Sequence, residues 1–201
     1  MQNDETFNTI ATINTAEFTD KGSKFLAIAF PIKNADEFKI ELKKIKELHP
    51  KAVHHCFAYR LGVDKNNFRF SDDGEPSNTA GKPIINQIDS KKITNVAVVV
   101  VRYFGGILLG VQGLVNAYKT ATQLALNSCE IIQKQITQPI KIETDYSNVS
   151  ILMNFLKRHE IEISKKQIEL FCSIDIEATK LQIVELEKFA EQNFGKFVIK
   201  K

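Results

Sequence analysis

The sequence predicts an α+β chain of two domains, and three observations carry that prediction. The stretch from Asn95 to Val101 is β-branched and apolar on both sides, which is the mark of a central strand. Segments before and after it place apolar residues at helical spacing. Beyond Gln138-Pro139 the pattern restarts as β-α-β-β-α-β within about 65 residues, to Lys201.

Each element has its own local reason. Thr6 to Phe18 alternates moderately, Asp20-Lys21-Gly22-Ser23 supplies turn chemistry, and Lys24 to Ile32 is apolar again, so a β-hairpin is expected. Asn34 and Glu37 stand as the cap and third-position acid of a capping box. Phe38, Leu42, Ile45 and Leu48 then follow at helical spacing until Pro50. Val53 to Leu61 reads as a strand, Asp64-Lys65-Asn66-Asn67 as a turn, and Asn67 to Ser71 as the partner strand. The loop SDDGEPSNTAGKPI (71–84) leads into a short helix ending near Lys91. The glycine-spaced YFGGILLGVQG (103–113) opens a longer helix that runs to about Cys129. The second domain reads as strands Ile140–Tyr146, Ile161–Lys165, Gln167–Glu177 and Lys196–Lys200, with helices Asn148–His159 and Thr179–Asn193. That order is the ferredoxin-like, or split βαβ, arrangement. The boundary falls near residues 133–138, giving domains of 1–135 and 136–201.

Composition narrows the function classes. The chain has 201 residues, 43% hydrophobic and 25% charged, with nine Gly and five Pro, so it is neither disordered nor collagen-like. Its longest apolar run, Val96 to Val101, is far shorter than the ~20 residues of a membrane helix. The opening MQNDETFNTI is acidic and polar, unlike a secretory signal. Cys56, Cys129 and Cys172 form no CxxC pair and no even disulfide set, which fits a reducing compartment and a cytoplasmic protein. The net charge is +3, and all of it lies in residues 1–135, with 17 basic and 14 acidic side chains; residues 136–201 balance at 10 and 10.

Three constellations could carry chemistry. In VHHCFAYR (53–60), strand alternation puts Val53, His55, Phe57, Tyr59 and Leu61 on a core face. His54, Cys56, Ala58 and Arg60 then fall on a face expected to be open to a ligand. A His54/Cys56 metal pair lacks the three or four ligands zinc requires, and no metal is assigned. In 71–84, Asp72, Asp73 and Glu75 crowd around Gly74, where they could hold a cation or raise one another's pKa. Ser71, Ser77, Thr79 and Lys82 add hydroxyls and a cation, a density that favours a functional loop. In 102–114, Arg102 and Tyr103 offer a phosphate fork and a stacking ring beside Gly105 and Gly106, whose turn could expose N–H groups to an anion. The spacing GGxxxGxxG is not a nucleotide fingerprint, so no cofactor is expected. No nucleophile, and so no catalytic residue, can be named.

Taken together, HHCFAYR (54–60), SDDGEPSNTAGKPI (71–84) and NVAVVVVRYFGGILLGVQGLVNAY (95–118) resemble the motifs of the IMPACT/YigZ family of small cytosolic proteins, in its bacterial two-domain form. Asn78 and Gln112 stand where the pattern usually has Gly. The resemblance implies a first domain that is an α/β sandwich like the second domain of a small-subunit ribosomal protein. It implies a ferredoxin-like second domain similar to domains of elongation factor G. Eukaryotic relatives regulate translation through an additional RWD domain and a starvation kinase; this chain starts at the hairpin, so that pathway is not carried over. What the resemblance does imply is a translation-related regulator that binds RNA or the ribosome. Two other readings stand beside it: a hydrolase using the carboxylates with His54 or His55, and a protein-interaction scaffold.

Overall fold

The computed structural model describes residues 6–64, 66–169 and 171–200. Residues 1–5 of the polar N-terminus, Lys65 of the expected turn and Leu170 of the expected strand 167–177 lie outside them. The chain is α+β, with five α-helices and three sheets among the described residues, and divides into two compact units. One unit is Phe7–Lys134 and the other is built on Gln135–Lys201.

In chain order the first unit runs β1 (Thr6–Ile10), β2 (Asn14–Asp20), β3 (Ser23–Pro31), α1 (Ala35–Leu48), β4 (His54–Leu61), β5 (Asn67–Ser71), α2 (Gly81–Ser90), β6 (Val96–Tyr103), α3 (Gly110–Asn127) and β7 (Ile131–Gln135). Five of the strands form an antiparallel sheet in the order β2-β3-β6-β4-β5. The strand β6 is its centre and is buried from Val96 to Arg102, because helices cover both faces. One face is small: Ala27, Ala29, Cys56, Ala58, Val98 and Val100 leave room for α2 and α3. The other carries Phe30, Phe57, Tyr59 and Leu61 against the single helix α1. Asn34 caps α1 by accepting from the backbone N–H groups of Asp36 and Glu37. The β2–β3 turn is a tight one, with φ 44° at Lys21 and 76° at Gly22.

Two expectations need correction here. The stretch 6–18 is not one strand, because β1 leaves the hairpin and pairs with β7 in a separate two-stranded sheet. That partner lies more than a hundred residues away, so no local pattern announces it. The face of β4 bearing Cys56 and Ala58 is not open: both residues are 0% exposed beneath α2 and α3. The alternation holds, but both faces of this strand are covered.

The second unit runs β8 (Gln138–Asp145), a 3-10 turn at Tyr146–Asn148, α4 (Val149–Arg158), β9 (Glu162–Gln167), β10 (Phe171–Ala178), α5 (Lys180–Gln192) and β11 (Phe197–Lys200). Its sheet is antiparallel in the order β11-β8-β10-β9. Ile140, Ile142, Ile174 and Ile176 bury one face with Leu152, Leu156 and Leu186 of the helices. Thr179 and Gln182 close a reciprocal capping box at the start of α5. No helix among the described residues is long and apolar enough to cross a membrane.

Candidate functional site

Most of the singled-out residues meet at one end of the first unit's sheet. The register pairs Phe25 of β3 with Arg102 of β6, and Arg102 with His54 of β4. Around that row lie the β2–β3 turn, the segment entering β4, the 72–80 loop and the 104–109 loop. The two glycine turns touch directly: a Cβ on Gly105 would stand 1.9 Å from the carbonyl carbon of Gly22. The Gly105 N–H donates to the Ser23 hydroxyl at 3.1 Å.

The three acids of the loop turn inward and serve three different partners. One oxygen of Asp72 accepts from the N–H groups of Ala80 (3.0 Å) and Gly81 (2.8 Å), and the other accepts from Asn78 (2.8 Å). It therefore caps α2, whose own N-cap residue, Ala80, has no side chain able to do so. Asp73 accepts from the backbone N–H of His55 at 2.8 Å and faces Lys46 Nζ at 3.6 Å. Its carbonyl accepts from His54 Nδ1 at 2.8 Å. Glu75, buried, accepts from Arg102 Nη1 at 2.6 Å and from the Tyr118 hydroxyl at 2.8 Å. The expected crowding of carboxylates around one cation is thus replaced by three separate anchors. Among the described residues no group of three or more His, Cys, Asp or Glu converges as a metal centre.

Cys56 lies beneath this network, with its Sγ 2.9 Å from the Asp72 carbonyl and 3.3 Å from the Tyr118 hydroxyl. Burial pushes its thiol far above the usual range, and does the same to the Tyr118 phenol, so neither is a nucleophile at neutral pH. His55 is buried on the α1 side of the sheet, with Nε2 lacking a hydrogen-bond partner. Burial first, then Lys46, depresses its pKa, and Asp73 opposes them. Tyr103 bonds through its hydroxyl to His49 Nδ1 at 2.8 Å.

Several predicted residues stand apart from one another. Arg60 shares a face with Arg102 but pairs in register with Val96, at the opposite end of the strand. Six residues separate it from His54, about 20 Å along a strand. There its Nε donates to Asp89 at 2.6 Å and its guanidinium lies 5.2 Å from the Phe68 ring centre. Lys82 lies over Phe70, Thr79 donates to the Pro76 carbonyl, Ser71 accepts from the Asp73 N–H, and Ser77 accepts from the Asn78 side-chain amide. At the glycine turn expected to take an anion, Gly105 is packed against Gly22, whereas Gly106 (φ 88°) and, further on, Gly110 (φ 71°) have open space where a side chain would be, and α3 starts without a side-chain cap. Two participants escaped the sequence reading. Tyr118 was legible as a lone phenol on the Leu114, Ala117, Ala121, Ala125 stripe, where a buried hydroxyl needs a partner. Phe104 gave no signal, because its role depends on where Arg102 places its guanidinium.

The family model of the Impact N-terminal domain matches residues 21–126, which span β3 to α3 and the whole of this site. The IMPACT family member of Haemophilus influenzae is 33% identical over 183 residues, 89% of this chain and 88% of that protein. IMPACT family member YigZ of Escherichia coli is 30% identical over 178 residues, 87% of each chain. The crystal structure of a hypothetical protein superposes with a TM-score of 0.80 over 97% of this chain and 96% of that one, at 28% identity. On this sequence and structural likeness, the chain belongs to the IMPACT family.

Proposed function

We propose that the chain is a translation-related regulator that binds RNA or ribosomal particles through the end of the sheet where Arg102, His54 and the two glycine turns meet. The observation that carries this reading is how charge is distributed there. Glu75 is paired with Arg102, Asp73 faces Lys46 and accepts from the His55 backbone N–H, and Asp72 is taken up by three backbone N–H groups. Two of the three acids in the motif thus have a cation of the fold against them, and less of its charge is left to repel an anion than the sequence suggests. Lys21, on the turn against Gly105, and Lys51, two residues before Val53 (whose N–H bonds the Arg102 carbonyl), remain exposed at this end. Residues 103–118 contain no charged side chain at all. A surface of this kind suits a polyanion. The strand order of the second unit supports the ferredoxin-like reading, and with it the likeness to a translation factor.

The hydrolase reading loses its support, because its carboxylates do not converge and its one nearby thiol is held protonated. The test is binding of the purified chain to total RNA and to ribosomal subunits across a salt series. Binding is expected at low salt. Replacing Lys21 and Lys51 together by Ala should lower the slope of log K against log salt by about 1.4, at about 0.7 per phosphate contact on single strands. Failure to bind at low salt, or binding indifferent to the double substitution, overturns the proposal.

A further inference from the structure

We infer that Phe104 is a stacking platform for an unpaired nucleobase, which makes single-stranded RNA the ligand class of this surface; the inference rests on the RNA reading above. The ring is set in place from beneath. Arg102 is 6% exposed, its Nη1 is clamped by Glu75, and its guanidinium carbon lies 5.5 Å from the Phe25 ring centre and 5.6 Å from that of Phe104. Arg102 Nε has no hydrogen-bond partner, so the guanidinium is committed to rings as well as to the carboxylate. Phe104 itself is 49% exposed: part of it rests on this buried cation and the rest faces solvent.

The surroundings select among polyanions. Two residues on, Gly106 leaves open space where a side chain would stand, so a flat group can approach the backbone. Ile107, Leu108 and Val111, which follow the ring closely in the chain, are 55%, 82% and 63% exposed and add apolar surface to this loop and the start of α3. Such a surface has nothing to offer the phosphates and riboses on the outside of a duplex. An unpaired strand, in contrast, offers base faces to the ring and the apolar surface while its phosphates meet Lys21 and Lys51.

The chain contains no tryptophan, so Phe104→Trp installs a single tryptophan at the platform, which can be excited apart from the four tyrosines. Three probes are used with the full chain at low salt: a labelled oligouridylate, an abasic strand with the same backbone, and a blunt RNA duplex of the same length. Oligouridylate should bind more tightly than the other two. Phe104→Leu keeps apolar volume and should weaken oligouridylate about tenfold or more while leaving duplex and abasic binding unchanged. Phe104→Trp should retain affinity, with fluorescence quenched by oligouridylate and not by the abasic strand. If RNA still binds but Phe104→Leu matches the parent chain, or the duplex is preferred, the stacking inference falls and the RNA reading stands. If no RNA binds, both fall, and the apolar surface is left to a protein partner.

Discussion

Arg102 Nη1 and Glu75 Oε1 lie 2.6 Å apart with side chains only 7% and 3% exposed, and the Tyr118 hydroxyl donates to the same carboxylate oxygen. A pair this deep is expensive to break from one side, since the surviving charge stays buried. Glu75→Gln should destabilise the chain by about 3–5 kcal/mol. Tyr118→Phe removes a hydrogen bond to the charged group and should cost about 1.5–3 kcal/mol. Urea denaturation of the two variants gives the order directly; a Glu75→Gln loss below that of Tyr118→Phe would contradict the ion pair.

Asp72 acts as a helix cap supplied from eight residues upstream. Asp72→Ala should lower stability by about 2 kcal/mol, near the top of the range for lost caps. Amide exchange at Asn78, Ala80 and Gly81 should accelerate together, because these donors share the carboxylate. A chelator added to the parent chain should leave the melting temperature unchanged. A drop would mean that this loop holds a cation after all.

Two neighbouring glycines should respond differently to the same methyl group. A Cβ at Gly105 meets Gly22 backbone at 1.9 Å, whereas a Cβ at Gly106 meets nothing within 4 Å but sits at φ 88°. Gly106→Ala should therefore cost about 1–2 kcal/mol from backbone conformation alone. Gly105→Ala has to push the hairpin turn away from the loop and should cost about 3 kcal/mol or more. Thermal melts of both variants check the ranking, and equal losses would deny the backbone contact.

His55 gives the stability a pH dependence whose sign follows from its surroundings. Burial and the nearby Lys46 depress its pKa from the usual 6.5, against the pull of Asp73. The unfolded chain then takes up a proton more readily than the folded chain. Stability contributed through this group is fully present above about pH 6.5, is lost as the pH falls below it, and levels off under the folded-state value. His55→Leu should flatten the curve of unfolding free energy between about pH 7 and 5, as read by denaturant titrations at each pH.

How far the sequence reached depended on the range of the interaction behind each feature. The capping of α1 by Asn34, the hairpin at Lys21-Gly22 and the βαββαβ order of the second unit are local or periodic, and are readable as such. Asn78 shows how far local reading can go: it stands where the family pattern has Gly, and its φ is 63°, a conformation Asn tolerates better than most residues. The β1–β7 pairing, the burial of both faces of β4 and the inward turn of Asp72, Asp73 and Glu75 depend on groups distant in the chain. Nothing in the sequence tells that Arg60 and Arg102 share a face but lie at opposite ends of the sheet; the β4–β6 register does. The acid-rich loop suggests chemistry as long as only its residue types are visible, because the groups that hold its carboxylates lie on other elements.

The inward turn of those acids also affects what can be transferred among related chains. A stretch such as SDDGEP, whose carboxylates fasten one helix, one strand and one buried arginine, is a signature of architecture. Two proteins that share it share a way of folding, while their ligands are chosen by side chains that face outward. Under the reading proposed above, a change at Phe104, Leu108 or Lys21 would redirect such a protein toward a new ligand and leave its family resemblance almost untouched.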